Sequence, residues 1–304
     1  AMDSGVAQKP IIDMAAYEAD LAARLNPTAG ILQTIFESVR SNPRRVVFAE
    51  GEEGKSIRAA YAFLNAGYGT PVLVGREDRV RVKMEKLGLP TVELIEIHNA
   101  KLSTETEGYM DFIYERLQRK GMLRRDCQRM VNQDRNVFAA CMVAAGDADA
   151  MVTGLTRNYH VALDEITRVL DPDPDSRVFG LSLVLGQDKT LFVSDTAVNE
   201  LPDSEQLADI AQQTAAVARQ MGHEPRVALI SFSNFGNPAL PRSQLVSNAV
   251  KILNQRQVDF EYDGEMGIDV ALNPELMAYY PFCRLAGPAN VLVMPGLYSA
   301  QTST

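Results

Sequence analysis

Cysteine is scarce in this chain of 304 residues: only Cys127, Cys141 and Cys283 occur, an odd number, far apart and with no CxxC pair. That excludes a disulfide framework and fits free, buried thiols in a reducing cytosol. Histidine is as sparse, and His98, His160 and His223 stand at no spacing that pairs them on a metal, so no zinc site is expected. A surplus of positive charge is also missing. The net charge of -9 argues against nucleic acid as a main partner, although a few local arginines suffice for an anionic small molecule. No apolar run approaches the ~20 residues of a membrane span, and no signal peptide opens the chain. No Gly-x-Gly-x-x-Gly follows a strand, so nothing here points to nicotinamide binding. Repeats and low-complexity segments are absent as well. The expectation is a cytoplasmic protein without membrane or nucleic-acid partners.

What remains is an ordinary globular composition, long enough to bury a full core in one large domain or two closely packed lobes. Ala1-Met2 reads as a cloning remnant and residues 3–8 as linker. At the other end, Asn290 to Met294 reads as a buried strand, and Pro295 to Thr304 stops where a helix should begin. Both ends read as cut.

Between them strand and helix signals alternate. Residues 28–41 predict a helix with Thr28 as N-cap and a stripe of Ile31, Ile35, Phe36 and Val39. Strands are predicted over 45–49, 70–74, 93–97 and 150–152, with helices over 52–64, 77–87, 105–119 and 158–170. Residues 132–145 are apolar nearly all round, which predicts a buried helix. Phe179–Leu185 and Thr190–Ser194 flank Gly186-Gln-Asp-Lys189 as a hairpin. A helix over 204–221, a strand over 227–230, a helix over 243–256, a strand over 259–262 and a short helix near Glu275 complete the pattern. Such alternation implies an α/β fold, a three-layer αβα arrangement of parallel strands in two lobes with a cleft. The lobes are expected at roughly 9–150 plus 290–304, and 151–289.

The most informative stretch is Arg226 to Asn237. A β-branched apolar run empties into a loop of Ser231, Ser233, Asn234, Gly236 and Asn237, a natural cradle for an anion or amide at the carboxyl end of a parallel strand. The plainer reading is a strand-to-helix connection. With Thr153 to Arg157, Asp263-Gly-Glu265 and Ala286 to Asn290, it forms a set of loops expected to converge on one side of the sheet. Candidate ligand contacts are Thr153, Arg157, Ser231, Ser233, Asn234, Asp263, Glu265, Arg284 and Asn290; no catalytic or metal-binding residue is assigned. Arg157 is the best anion candidate, being placed at a helix N-terminus. Each has a structural alternative. Ser233 and Asn234 suit turns, Asp263 and Glu265 suit caps of the next helix, and Arg242 and Arg284 suit surface pairs. Asp195 and Asn199 read as turn formers, and Glu50, Glu52 and Glu53 as the acidic start of a helix.

Taken together, Val47-Phe-Ala-Glu-Gly-Glu-Glu53, Gly146 to Gly154, Asp195-Thr-Ala-Val-Asn199, Ser231 to Asn237, Asp263-Gly-Glu265 and Gly287 to Pro295 resemble the phosphotransacetylase family. Pro27-Thr-Ala-Gly30, Asp259 to Met266 and Tyr280-Pro-Phe-Cys-Arg284 resemble more closely the carboxy-terminal domain of hybrid bacterial NADP-dependent malic enzymes. The resemblance runs from about residue 9 to the end. It implies a phosphotransacetylase-like fold, acetyl-CoA as effector, and NADP and a divalent metal held in a malic enzyme portion outside this sequence. It also implies a homodimer or larger homo-oligomer, with the malic enzyme domain as a partner in the same chain.

Free enzymes of that family join a thiolate to acetyl phosphate, with a carboxylate base, oxyanion donors and phosphate-binding arginines. This sequence departs from that pattern. Ser233-Asn-Phe-Gly-Asn237 replaces Ser-Thr-Lys-Gly-Ser, so Phe235 stands where a cation is expected. Asp164 falls where an arginine is expected, Gly287-Pro-Ala-Asn290 replaces Gly-Lys-Ala-Asn, and the Ser-Arg-Gly segment expected beyond the last strand is not in the sequence. Three readings follow: a regulatory acyl-CoA-binding domain that has lost acetyl transfer, a working phosphate acetyltransferase, or an oligomerisation domain without ligand. Phe36, Tyr279, Tyr280 and Phe282 suit a dimer face or a core equally.

Overall fold

Alternate residues of the buried strands point into different clusters, which is the signature of sheets covered on both faces. The computed structural model describes residues 35–90, 94–174, 176–186 and 189–303. They divide between Asp171 and Pro172 into two units, each with its own sheet and core. The proposed Thr28 cap, Ile31, the Pro27 motif, Glu93 and the Gln187-Asp188 turn lie outside the described residues.

In the first unit the order is β1 (Arg44–Phe48), α1 (Gly54–Asn65), β2 (Gly69–Val74), α2 (Glu77–Lys86), β3 (Glu96–His98), α3 (Thr106–Leu117), α4 (Arg124–Gln133), α5 (Arg135–Ala145), β4 (Ala150–Val152) and α6 (Tyr159–Thr167). The four strands are parallel in the order β3-β2-β1-β4. Val47, Val72 and Val74 join a cluster with Ile113 and Phe138 from α3 and α5. Phe48 and Leu73 face the other way, onto Ile57, Val80 and Met84 from α1 and α2. Each fully buried side chain of this size contributes roughly 1.5–3 kcal/mol.

The second unit runs β5 (Leu181–Leu185), β6 (Thr190–Ser194), α7 (Ser204–Gln220), β7 (Arg226–Ile230), α8 (Pro241–Arg256), β8 (Glu261–Met266), α9 (Ile268–Leu272), α10 (Pro274–Met277), β9 (Val291–Val293) and α11 (Leu297–Ser303). Its sheet has the order β5-β6-β9-β7-β8, with only the β5–β6 pairing antiparallel. Val227, Leu229, Val291 and Val293 pack under α7 and α8. Ala228, Ile230, Leu292 and Met294 pack under α9 and its neighbours. Both units are therefore three-layered, as the alternation of elements implies. Asp203 and Gln206 form a capping box that starts α7.

Four expectations need correction. Residues 132–145 are not one helix, because Asp134 leaves helical geometry and caps α5 by accepting from the Asn136 and Val137 amides. The strand expected over 259–262 begins later and runs on to Met266. The lobe limits also differ. α6 stays in the first unit, and residues 290–304 do not return there, since β9 pairs with β6 and β7. Finally, Asn290 precedes β9, so the 286–290 loop lies at the amino end of this parallel sheet, opposite the Ser231 loop.

No helix among the described residues is long and apolar enough to cross a membrane.

Candidate functional site

Each sheet has a topological switch point, where the strand order reverses and carboxyl-end loops part to leave a crevice. In the first unit it lies between β1 and β4, because β2 and β3 build outward on the other side of β1. The loop after β1 puts Glu50 there, 1% exposed. Its carboxylate accepts from the Leu155 amide at 2.7 Å, the Thr156 amide at 2.7 Å and the Thr156 hydroxyl at 2.6 Å. Burial raises the Glu50 pKa, but those hydrogen bonds and the Arg135 charge together hold it below the ordinary carboxylate value. Glu50 is thus a latch between the β1 and β4 loops, not the start of α1. The latch needs the next residue to be glycine, since a Cβ on Gly51 would come within 2.8 Å of the Val74 backbone.

Beside this latch, over the carboxyl ends of β1, β2 and β3, opens a cavity of about 470 Å³, lined by Glu52, Arg76, Asn99, Lys101, Asn132, Arg135 and Arg157, among others. Glu52 is held by the Arg76 guanidinium at 3.0 and 3.1 Å and by Arg79 at 3.4 Å. Arg157 does not offer a free charge. Its guanidinium bonds both Asp134, at 2.7 Å, and Glu165. Those bonds raise its pKa and tie it down, the Glu165 hydrogen bond most of all. Thr153 belongs to the same internal network: its hydroxyl donates to Asn136 at 2.6 Å, and Asn136 donates to Glu165 at 2.8 Å.

Arg135 is different, for its Nη2 bonds only the Thr156 hydroxyl, at 2.6 Å, and no carboxylate pairs with it among the described residues. Lys101 likewise has no side-chain partner there, its backbone amide alone closing an Asx turn on Asn99. The Asn132 carboxamide oxygen is buried with no partner among the described residues. Sequence reasoning passed over Glu50, Lys101, Asn132 and Arg135. The one signal available was a carboxylate immediately after a buried strand.

The second unit has its switch point between β7 and β9. The Ser231 to Asn237 loop leaves β7 there, as the sequence predicts, but it is closed on itself. Ser233 is fully buried and donates to Glu265 Oε1 at 2.9 Å, and the Gly236 amide donates to the same oxygen at 2.9 Å. The Ser231 hydroxyl accepts from the Ser233 amide, and Asn234 accepts from the Gly267 amide at 2.7 Å. Phe235 turns its ring onto Phe282 and Tyr280, with centroids 5.0 and 5.1 Å away. Asp263 and Glu265 sit in β8 and cap no helix. Asp263 accepts from the Arg284 amide at 2.8 Å and its guanidinium at 3.2 Å, and Arg284 also lies over the Tyr262 ring. Asn290 clamps the amino end of β7, accepting from the Arg226 amide at 2.7 Å and donating to the Glu224 carbonyl. Every candidate contact read from the sequence therefore has an internal partner.

Asp195, after β6, is a further buried carboxylate. It collects the amides of Gly180, Ala197, Val198 and Asn199 and the Asn199 side chain. A Cβ on Gly180 would meet that of Ala197 at 2.5 Å, so only glycine fits beside this turn. Asp195 and Asn199 are turn formers, as their sequence context suggests.

A sequence profile of phosphate acetyl/butaryl transferases matches residues 30–304. The chain belongs to that family. Its relatives include the "NADP-dependent malic enzyme" of Rhizobium meliloti, 54% identical over all of this chain but only 40% of that protein. The chain thus spans about 40% of the length of that malic enzyme. The "Phosphate acetyltransferase" of Clostridium acetobutylicum is 33% identical over 88% of this chain and 82% of its own. Among solved structures, the EutD phosphotransacetylase from Staphylococcus aureus superposes with a TM-score of 0.82 at 27% identity, covering 91% of this chain and 84% of that one. Both resemblances read from the motifs, to phosphotransacetylases and to NADP-dependent malic enzymes, are found in these comparisons. The α/β fold with parallel sheets is the fold of the family.

Proposed function

We propose that this chain is a regulatory acyl-CoA-binding domain, sensing acetyl-CoA as a feedback inhibitor, and that it has lost phosphate acetyl transfer. Its parent is a hybrid NADP-dependent malic enzyme that oxidatively decarboxylates malate to pyruvate, with this domain at the carboxy-terminal end. The observation that carries the reading is the closed loop after β7. Acetyl transfer to phosphate needs open donors and a cation beside the reacting group. Here Ser233 and Gly236 are spent on Glu265, and an aromatic contact stands at the position expected to hold the cation.

NADP and the divalent metal belong to the malic enzyme portion. Among the described residues no group of three or more His, Cys, Asp or Glu side chains comes together to hold a metal ion. The malic enzyme domain of the same chain and further copies of it are the expected partners. Coupling between them requires acetyl-CoA to bind two arrangements of the assembly unequally, by about 1–3 kcal/mol in typical cases.

The deciding experiment is isothermal titration of the protein with acetyl-CoA, coenzyme A and acetyl phosphate, with turnover followed in parallel. Binding of acetyl-CoA near micromolar, about −8 kcal/mol, without turnover of acetyl phosphate supports the proposal. Phosphate-dependent turnover would make the domain an active phosphate acetyltransferase instead. Absence of any binding would leave an oligomerisation domain.

A further inference from the structure

We propose that the cavity at the carboxyl ends of β1, β2 and β3 binds the phosphate group of a phosphorylated small molecule, with Arg135 and Lys101 as its charge partners. The cavity's volume of about 470 Å³ falls within the range of small-molecule sites, roughly 300–1,000 Å³. It lies wholly within the first unit and opens where parallel sheets receive ligands.

The charge inventory of its wall selects an anion. Arg76 is matched by Glu52, and Arg157 by Asp134 and Glu165. Arg135 and Lys101 are left over, with no carboxylate paired to either among the described residues. Glu50 stands one hydroxyl behind Arg135. Thr156 accepts from the guanidinium and donates to the carboxylate, which fixes one edge of Arg135 and leaves its other nitrogens without a partner among the described residues. A guanidinium so held is preorganised for phosphate, where two parallel charge-assisted bonds form without further loss of freedom. The α5 N-terminus does not compete for the role, since Asp134 already occupies its amides.

The rest of the wall narrows the ligand. Among the described residues Val74 and Ala100 are its larger apolar elements and no aromatic ring lines it, so these offer no stacking platform for a base. The Asn99 side chain and the Asn132 carboxamide, whose oxygen has no partner among the described residues, line the wall and suit hydroxyl groups on the remainder of the ligand. Two sources share this phosphate chemistry: the phosphates of the acyl-CoA invoked above, in which case the site rests on that reading, or an independent phosphorylated compound.

The test is titration of the 304-residue protein with inorganic pyrophosphate at low salt, for wild type, Arg135→Gln, Lys101→Gln and, as a control, Arg284→Gln. Arg135→Gln should weaken binding by about tenfold or more and Lys101→Gln by about three- to tenfold, with Arg284→Gln unchanged. Lys101 is exposed and bonds nothing through its side chain among the described residues, so its variant reports on the site even if Arg135→Gln perturbs folding. Failure of pyrophosphate to bind wild type overturns the proposal, as does equal affinity in both cavity variants. Repeating the titration with saturating acetyl-CoA separates the sources. Competition assigns the phosphate to the coenzyme and independence assigns it to another compound, and both uphold the site. Pyrophosphate binding without any acetyl-CoA binding would sink the acyl-CoA reading and leave this site standing. Acetyl-CoA binding untouched by either variant, with no pyrophosphate binding, does the reverse.

Discussion

Both sheets carry the same device at their carboxyl edge, a glutamate almost without solvent contact that gathers donors from a neighbouring loop, Glu50 across the β1–β4 switch point and Glu265 from β8 onto the β7 loop, yet the two sites have opposite characters. Glu50 gathers two amides and a hydroxyl, and beside it lies a cavity walled by cations. Glu265 gathers one hydroxyl and one amide, and beside it the rings of Phe235, Tyr280 and Phe282 pack on one another, with no cation among them. The latch alone therefore says nothing about ligand capacity. What decides it is whether the surrounding charges are already spent: Arg284 is engaged by Asp263, while Arg135 among the described residues bonds only a hydroxyl.

The sharpest way to test that equivalence is to remove each latch. Glu50→Ala strands two amides and a hydroxyl in a buried position, and should cost about 3–5 kcal/mol of unfolding free energy. Glu265→Ala strands fewer donors and should cost about 2–3 kcal/mol. Urea midpoints of the two variants check both figures. A larger loss for Glu265→Ala, or a loss under about 1 kcal/mol for Glu50→Ala, would break the parallel.

The sequence made one half of this picture readable and hid the other. Strand and helix positions followed from local pattern, because a strand covered on both faces is a short apolar run and α5 is apolar nearly all round. α4 escaped, since only Cys127 and Val131 of its residues are buried and, Met130 apart, the rest of that segment is polar. The latches escaped for a different reason. Glu50 and Thr156 are separated by more than one hundred positions, and no local periodicity encodes a contact of that span. Arg157 illustrates the same limit. Its place before a helix start gave it the look of an anion site, while the two carboxylates that consume its charge come from Asp134 and Glu165. Asn290 was misplaced because the 286–290 loop leads into a strand rather than out of one, which puts it at the amino end of the sheet, where Asn290 clamps β7.

Acid titration sharpens the Glu50 side of the comparison. Burial alone would raise this carboxyl, but the hydrogen bonds from Thr156 and Leu155 and the charge of Arg135 bring it below its ordinary value of 4.5. A folded-state value below the unfolded one makes the group stabilising above the unfolded value, and that contribution is lost as pH falls through the folded one. Glu50→Gln removes the ionised form at every pH. The stability gap between wild type and Glu50→Gln should therefore be full at about pH 7 and shrink once pH drops below about 4.5. A gap that stays constant into acid would mean that the charge of Glu50 contributes nothing to the latch.

The smallest effect falls on the cation of the second unit. Arg284 is nearly half exposed, pairs with Asp263 at 3.2 Å and lies 4.7 Å from the Tyr262 ring centroid. Solvent screening limits an ion pair of this exposure to about 0.2–1 kcal/mol, and the ring contact adds about 0.5–1 kcal/mol. Arg284→Gln should consequently lower stability by about 1–2 kcal/mol at most, measured by urea unfolding, and leave ligand affinity unchanged. Arg135→Gln predicts the inverse balance, since its guanidinium gives up one hydrogen bond to Thr156 but is, with Lys101, one of the two cavity cations that no carboxylate pairs among the described residues. If Arg284→Gln instead abolished acetyl-CoA binding, the arginine held by Asp263 would be ligand-facing. The contrast between a spent cation and a free one would then no longer separate the two sheets.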